Sequence, residues 1–338
     1  MTERYHPSRD QVALAAGLGE SLASLLPLTR LRESQEENAE TWKALCELGV
    51  FEISIPEERG GSGLGIVEEV LITIELGRRV VTPSVVATMG AAHLRGADGR
   101  SLKPGERYVA AGYRRGDRIV LVDESAANHF LVQSASGAAL FARPTSSRLI
   151  DEKLWSCRLL EARGLDKPMT EADTSQVLRL RLIEAAALAG LAQAALEMAV
   201  QYAGMRHQFG RPIGSFQAVK HHCANMALSS RLACDQVSFA AVAVDDRRND
   251  ASMQVESAFF IAGSAAIDNA GKNIQVHGGI GFSDEADPHR LLKRARLQVE
   301  IAGGLEASIT RIGQAPLTVG LGARHAKAHV PEQRGLST

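Results

Sequence analysis

The chain has 338 residues, 45% hydrophobic and 23% charged, with a formal net charge of −1. That is the balance of an ordinary globular protein long enough for two or three units with shared core. No dense basic run is present, which argues against nucleic acid or an anionic membrane as the main partner. The sequence opens MTERYHPSRD, without an apolar targeting segment, and no run is read as reaching the roughly 18 to 20 apolar residues of a membrane span, so a cytoplasmic protein is expected. The four cysteines, Cys46, Cys157, Cys223 and Cys234, form no CxxC pair and read as reduced, buried thiols, with no metal site implied.

Residues 9 to 50 carry helical spacing, with Ser8 or Asp10 as cap and Val12, Leu14, Leu18, Leu22 and Leu25 on one face. Ala39 to Leu48 forms a second helix, stopped by Gly49. Pro56 and the cluster Gly60, Gly61, Gly63 and Gly65 mark a loop, and a long helix follows from Ile66 to about Val81. Thr82-Pro83 opens the next turn. Between residues 100 and 150 the pattern changes to short runs, Tyr108–Tyr113, Arg118–Asp123, His129–Gln133 and Ala138–Ala142, which predict a small antiparallel sheet. Helices then return: an Ala-rich one from Val177 to Met205 that is apolar nearly all round, and two more over Ser215–Arg247 and Ser252–Gln275. A glycine-containing loop covers Gly278–Asp287, and a helix with a basic start runs from Pro288 to about Ile312. The stretch after Pro316 is aperiodic and expected to be loosely ordered.

Three segments then carry a resemblance. WKALCELGVFEISIPEERGGSGLGIVEEVLITIELGR (42–78), YAGMRHQFGRPIGSFQAVKHHCANMA (202–227) and IQVHGGIGFSDEADPHRLLKRAR (274–296) resemble the acyl-CoA dehydrogenase family, the last two with high specificity. The resemblance implies a mainly α fold with a small β domain: an N-terminal helical domain (1–98), a shortened middle β-sheet domain (99–174), a C-terminal four-helix bundle that binds FAD (175–315), and a tail (316–338). It places Arg206 on the FAD pyrophosphate, where a guanidinium can fork onto phosphate oxygens. Gln208, Phe209 and Gln217 fall on the phosphate and adenine side, and Gln275 with Gly278 and Gly279 on the diphosphate, where a glycine lets backbone approach closely. His277 reads as a packing or hydrogen-bonding residue inside the cofactor motif.

The family reaction removes an α-proton and a β-hydride from an acyl-CoA thioester, so it needs a positioned base beside the flavin. The usual base position falls on Ala302, with Gly303 kept and Gly304 in place of a Thr, and Glu306 matches a second acidic position that is not the base. The alternative base position, beside Arg181 on the first C-terminal helix, falls on Leu180. Glu184 lies three positions further on and is read as sitting at another depth; Glu300, two residues from the usual site, is the substitute candidate. The family's flavin-facing "TEp.aGSD" and "k.wiTna" segments have no counterpart between Thr88 and Ser156, and Trp155 reads as packing. Lys293, Arg294 and Arg296 read as a solvated helix face rather than a CoA-phosphate site.

The adenine half of a cofactor site is thus expected without the ring half. Resemblance to the heteromeric α2β2 dehydrogenases of steroid side-chain degradation implies one short subunit paired with a larger, base-bearing one, with an acyl-CoA substrate and an electron-transfer flavoprotein or other acceptor. Two alternatives stay open: a homo-oligomer with a relocated carboxylate, and an inactive structural or regulatory member.

Overall fold

The computed structural model describes residues 5–32, 37–94, 108–122, 127–151, 157–163, 165 and 167–315. Trp155, the tail after 315 and the expected boundary at residue 98 lie outside the described residues.

The N-terminal helices are α1 (Arg9–Leu25), α2 (Ala39–Glu47), α3 (Ile66–Arg78) and α4 (Pro83–Ala91). Ser8 caps α1, its hydroxyl accepting the Gln11 N–H while the Gln11 side chain returns to the Ser8 N–H. The fourth helix follows Thr82-Pro83, where only a turn is expected from sequence; Pro83 occupies its first turn, a position that needs no N–H donor.

Among the described residues seven strands follow: β1 (Val109–Arg115), β2 (Arg118–Val122), β3 (His129–Ser134), β4 (Gly137–Ala142), β5 (Ser146–Asp151), β6 (Leu159–Arg163) and β7 (Thr170–Glu171). Their order is β5-β6-β2-β1-β3-β4-β7. The sheet is mixed, which corrects the antiparallel expectation: β2 turns back antiparallel on one side of β1, and β3 then lies parallel to β1 on its other side. Strand β5 carries no apolar alternation because it is an exposed edge, and it escapes a pattern search for that reason.

Helix α4 is stitched to β1, the Thr88 hydroxyl bonding both the N–H and the carbonyl of Val109 at 3.1 Å. The C-terminal helices are α5 (Thr174–Met205), α6 (Gln217–Asp245), α7 (Ala251–His277), α8 (Pro288–Ile301) and α9 (Leu305–Gln314), with a short β8–β9 hairpin (His207–Gln208, Arg211–Pro212) between α5 and α6. The helix expected over 288–312 breaks at Gly303 and Gly304, both with positive φ.

Helix α5 is buried on almost every side, as its Ala-rich composition requires. By length and composition it could cross a membrane, contrary to the expectation that no run would qualify, but 72% of its apolar window is buried within the molecule. It is a core helix. Two glycines let α3 and α5 cross at backbone contact: a Cβ on Gly77 would collide with the Ala187 carbonyl, and one on Gly190 with the Ile74 carbonyl. A buried charged group reinforces this crossing. Glu69 on α3 accepts from Arg179 on α5 at 2.8 Å and pairs with His93 at 2.7 Å. Burial alone would raise the Glu69 carboxyl, but His93 and Arg179 overcome it and hold it at about 2.

The glycine crossing predicts a large effect from a small change. Gly190→Val is expected to cost roughly 3 kcal/mol, because backbone rather than a movable side chain would have to yield. Urea unfolding of the variant against wild type measures this.

Candidate functional site

The C-terminal helices set the geometry of the site. Asn269 on α7 donates to the Ala192 carbonyl on α5 at 3.2 Å, and Tyr202 on α5 stacks on His277 of α7 with centroids 4.0 Å apart. Both chains therefore advance together, and α5 and α7 are parallel. Gln236 on α6 bonds Gln254 on α7 while Asn269 bonds the Met226 carbonyl, so α6 runs the opposite way. The C-termini of α5 and α7 and the N-terminus of α6 meet at one end of the bundle. Arg206, Gln208, Phe209, Gln217, Gln275, Gly278 and Gly279 all sit there, and all are exposed.

The connection from α5 to α6 is tight. The Arg206 N–H closes α5 on the Tyr202 carbonyl, and the Arg206 carbonyl accepts from Ile213 at 2.8 Å. Phe209 (φ 53°) and Gly210 (φ 77°) form the two-residue turn of the β8–β9 hairpin, a left-handed pair that suits strand twist. Left-handed backbone is unusual for a bulky residue, and Phe209 is also 92% exposed. Arg211 lies over the Phe216 ring at 4.3 Å, and no side chain caps the first turn of α6. On α7, Gly278 ends the helix with φ 66°, and no atom within 4 Å would meet a Cβ on Gly278 or Gly279. The end thus offers the Arg206 guanidinium, three carboxamides, open glycine backbone and a free helix N-terminus. That donor set matches the chemistry of a nucleotide diphosphate.

The base positions are different in kind. Leu180 is buried among Ala87, Ala91, Leu131 and Ile301, a closed apolar cluster between the sheet and α5. Ala302 is 1% exposed, and its carbonyl accepts the Arg181 guanidinium. Arg181 lies over the Phe259 ring at 4.7 Å and 3.8 Å from Glu256, which also binds Arg311 at 2.7 Å and Ser308 at 2.6 Å. Arg311 reaches the Ala135 carbonyl at 2.7 Å, so the chain's own β3–β4 turn closes over this network. Gly303 completes the closure, since a Cβ there would press on Ala135. Glu300 points elsewhere: its carboxylate is half exposed and 3.9 Å from Arg115 on the sheet. Glu306 is exposed.

Sequence reading set Glu184 aside, and the structure places it at the centre of the molecule. It is 1% exposed and accepts from Gln133 on β3 at 2.7 Å and from Gln298 on α8. Burial pushes its carboxyl up to about 7, against the pull of the two amides and Arg181. Glu256 and Gln298 also went unmarked; a charged or amide residue inside an apolar helical stripe is the signal that could have found them. Arg294 is buried, which corrects the solvated-face reading for that residue, whereas Arg296 is exposed. A cleft on the outer face of the sheet, lined by Ile119, Val132 and Phe141 among others, contains none of the expected site residues.

Comparison with known proteins fits this arrangement. Residues 11–97 match the acyl-CoA dehydrogenase N-terminal domain, and residues 171–317 match the C-terminal domain. IpdE2 of Mycobacterium tuberculosis, named an acyl-CoA dehydrogenase, is 31% identical over 75% of this chain and 79% of its own length. The chain belongs to the acyl-CoA dehydrogenase family. Acyl-CoA dehydrogenases are FAD-dependent oxidoreductases, and FAD is the cofactor of this fold. FadE34 of the same organism is 33% identical over 77% of this chain, which spans only 40% of that relative's length. The ChsE4–ChsE5 complex from Mycobacterium tuberculosis shares the fold, with a TM-score of 0.70 at 23% identity over 91% of this chain and 97% of the other. The exposed end of the bundle fits the ADP half of FAD. The buried surroundings of Ala302 and Leu180 supply no carboxylate at either expected base position.

The Glu184 carboxyl makes a prediction with a definite sign. Its folded pKa is raised, so its contribution is fully present below the unfolded value near 4.3 and is lost as pH rises through about 7. Glu184→Gln removes that titration. Between pH 5 and pH 8 the stability difference is expected to move in favour of the variant by roughly 2–3 kcal/mol. Denaturant unfolding at the two pH values measures it.

Proposed function

We propose that this chain is one subunit of a heteromeric, FAD-dependent acyl-CoA dehydrogenase, and that it contributes the adenine and pyrophosphate half of an FAD site shared with a larger partner. One observation carries the reading. All the expected nucleotide-binding residues lie together on an exposed end of the bundle, whereas both expected base positions are filled by buried, non-ionisable side chains.

In this reading Arg206 forks onto the pyrophosphate, with Gln208 and Gln275 as amide donors and the Gly278–Gly279 backbone as the close-approach surface. Phe209 and Gln217 take the adenine side. When bound, FAD supplies the acceptor for the β-hydride of the acyl group. The partner supplies the carboxylate that removes the α-proton. Arg181 remains committed to the Ala302 carbonyl and Glu256, holding the base-site segment shut in this chain. The same end exposes Met205, Phe209, Ile280 and Phe282, an apolar set that a partner subunit would cover.

The proposed assembly is an α2β2 tetramer in the cytoplasm. Its substrate is an acyl-CoA thioester, with a steroid side chain as the acyl group suggested by the sequence resemblance. Electrons would leave to an electron-transfer flavoprotein or an equivalent acceptor.

Co-expression with a base-bearing dehydrogenase chain tests the proposal. The complex is expected to be yellow and to reduce an artificial dye with acyl-CoA, and the lone chain to do neither. Dye reduction by the lone chain would exclude the shared-site reading. Within the complex, Arg206→Ala removes a charge-assisted contact worth roughly 1.5–3 kcal/mol. FAD retained after gel filtration should fall accordingly; unchanged flavin content would take Arg206 out of the site.

A further inference from the structure

The proposed half-site comes from two pieces of chain, the α5–α6 connection with Arg206 and Gln208 and the turn after α7 with Gly278 and Gly279. Neither piece is held by the other's backbone among the described hydrogen bonds. Asn273 joins α7 to Met198 of α5 one turn back, and at the very ends the two pieces are linked by a ring pair. Tyr202, in the last turn of α5, stacks on His277, the last residue of α7, at 4.0 Å between centroids and 23° between planes.

Each ring is tied directly to its own piece. The Tyr202 carbonyl accepts the Arg206 N–H at 2.8 Å, so the tyrosine backbone sets where Arg206 leaves the helix. His277 Nδ1 bonds the Asn273 carbonyl at 2.8 Å, which makes Nδ1 the protonated nitrogen of a neutral ring. Burial keeps the imidazole below its usual pKa, although the Asn273 carbonyl pulls the other way. A neutral ring can lie flat on the phenol without burying a charge. The turn then folds onto His277: a Cβ on Gly281 would lie 2.7 Å from the Ile274 carbonyl and 3.1 Å from the His277 Cβ. The shortest path from Arg206 to the glycine turn therefore runs through Tyr202 and His277.

We infer that Tyr202 and His277 are a positioning pair that fixes the spacing between Arg206 and the Gly278–Gly279 turn, and so prepares the site for both phosphates of a nucleotide diphosphate at once. The inference rests on the proposed half-site. Neither ring is assigned a contact with the cofactor; both act through the backbone segments they hold.

ADP serves as the probe, because it carries the half of FAD that this chain is proposed to bind and needs no partner residue. Its affinity for the full chain is measured by calorimetry, together with thermal midpoint and amide exchange of the 278–282 segment. Tyr202→Leu keeps apolar bulk and removes the ring. It is expected to weaken ADP by about three- to tenfold and to speed exchange in 278–282, with little change in midpoint. Tyr202→Phe keeps the ring and should bind ADP within about twofold of wild type, as an aromatic pair does not need the hydroxyl. Arg206→Ala should weaken ADP without altering exchange in 278–282.

The outcomes separate the two ideas. If Arg206→Ala weakens ADP and Tyr202→Leu does not, the positioning pair is overturned and the half-site stands. If Tyr202→Phe is as poor as Tyr202→Leu, the stack is not the agent and the inference fails. If wild type takes no ADP, the half-site reading fails and this inference falls with it.

Discussion

Helix α5 is the constraint on which the rest of the structure depends. It meets α3, α6 and α7 along its length, passes beneath the sheet, and ends at the proposed nucleotide site. A helix buried on all sides can satisfy so many neighbours only if its side chains are small. The run Ala185, Ala186, Ala187, Leu188, Ala189, Gly190 meets that demand, and at Gly190 even a methyl group is too much. Close packing here places Arg181 and Glu184 in the interior and Tyr202 and Arg206 at the exposed end, all from one rigid element.

The polar residues of this helix fall into two environments with different consequences. In the first third, Glu184 and Arg181 are enclosed, and their partners come from β3, from α7, from α8 and from the α8–α9 joint. Buried charges of this kind are costly unless fully paired, so the network holds the sheet and bundle in one relative position. At the end, Arg206, which caps the helix, and Gln208 just beyond it are exposed, beside apolar residues that remain uncovered. A site built from donors on an open surface is completed from outside, whereas one closed by its own hairpin and ion network is not. That contrast separates the proposed nucleotide end from the base-site segment around Ala302.

Much of the fold was legible because its signals are local. The Ser8 cap, the Ala-rich α5 and the glycines after α7 each act within a few residues of themselves. Their spacing reads directly as helix or turn. The sheet was legible only in part. Strands β1 to β4 alternate or run apolar, but the parallel partnership of β1 with β3 depends on which edge the chain returns to, and residue pattern does not encode that. Arg294 read as solvated because α8 opens with basic residues, yet the helix rolls that position inward.

By itself, the sequence determined the family, the helix–sheet–helix order, and the residues at the two base positions, because contiguous motifs with specific chemistry survive without knowledge of the fold. Only the tertiary structure decided that the residues expected to bind nucleotide share one open end, that Glu184 joins Gln133 and Gln298, and that Tyr202 meets His277. Glu184 lies 51 residues from the first of its partners and 114 from the second. Contacts over such separations follow from how helices stack on one another and on the sheet, and no local spacing records that.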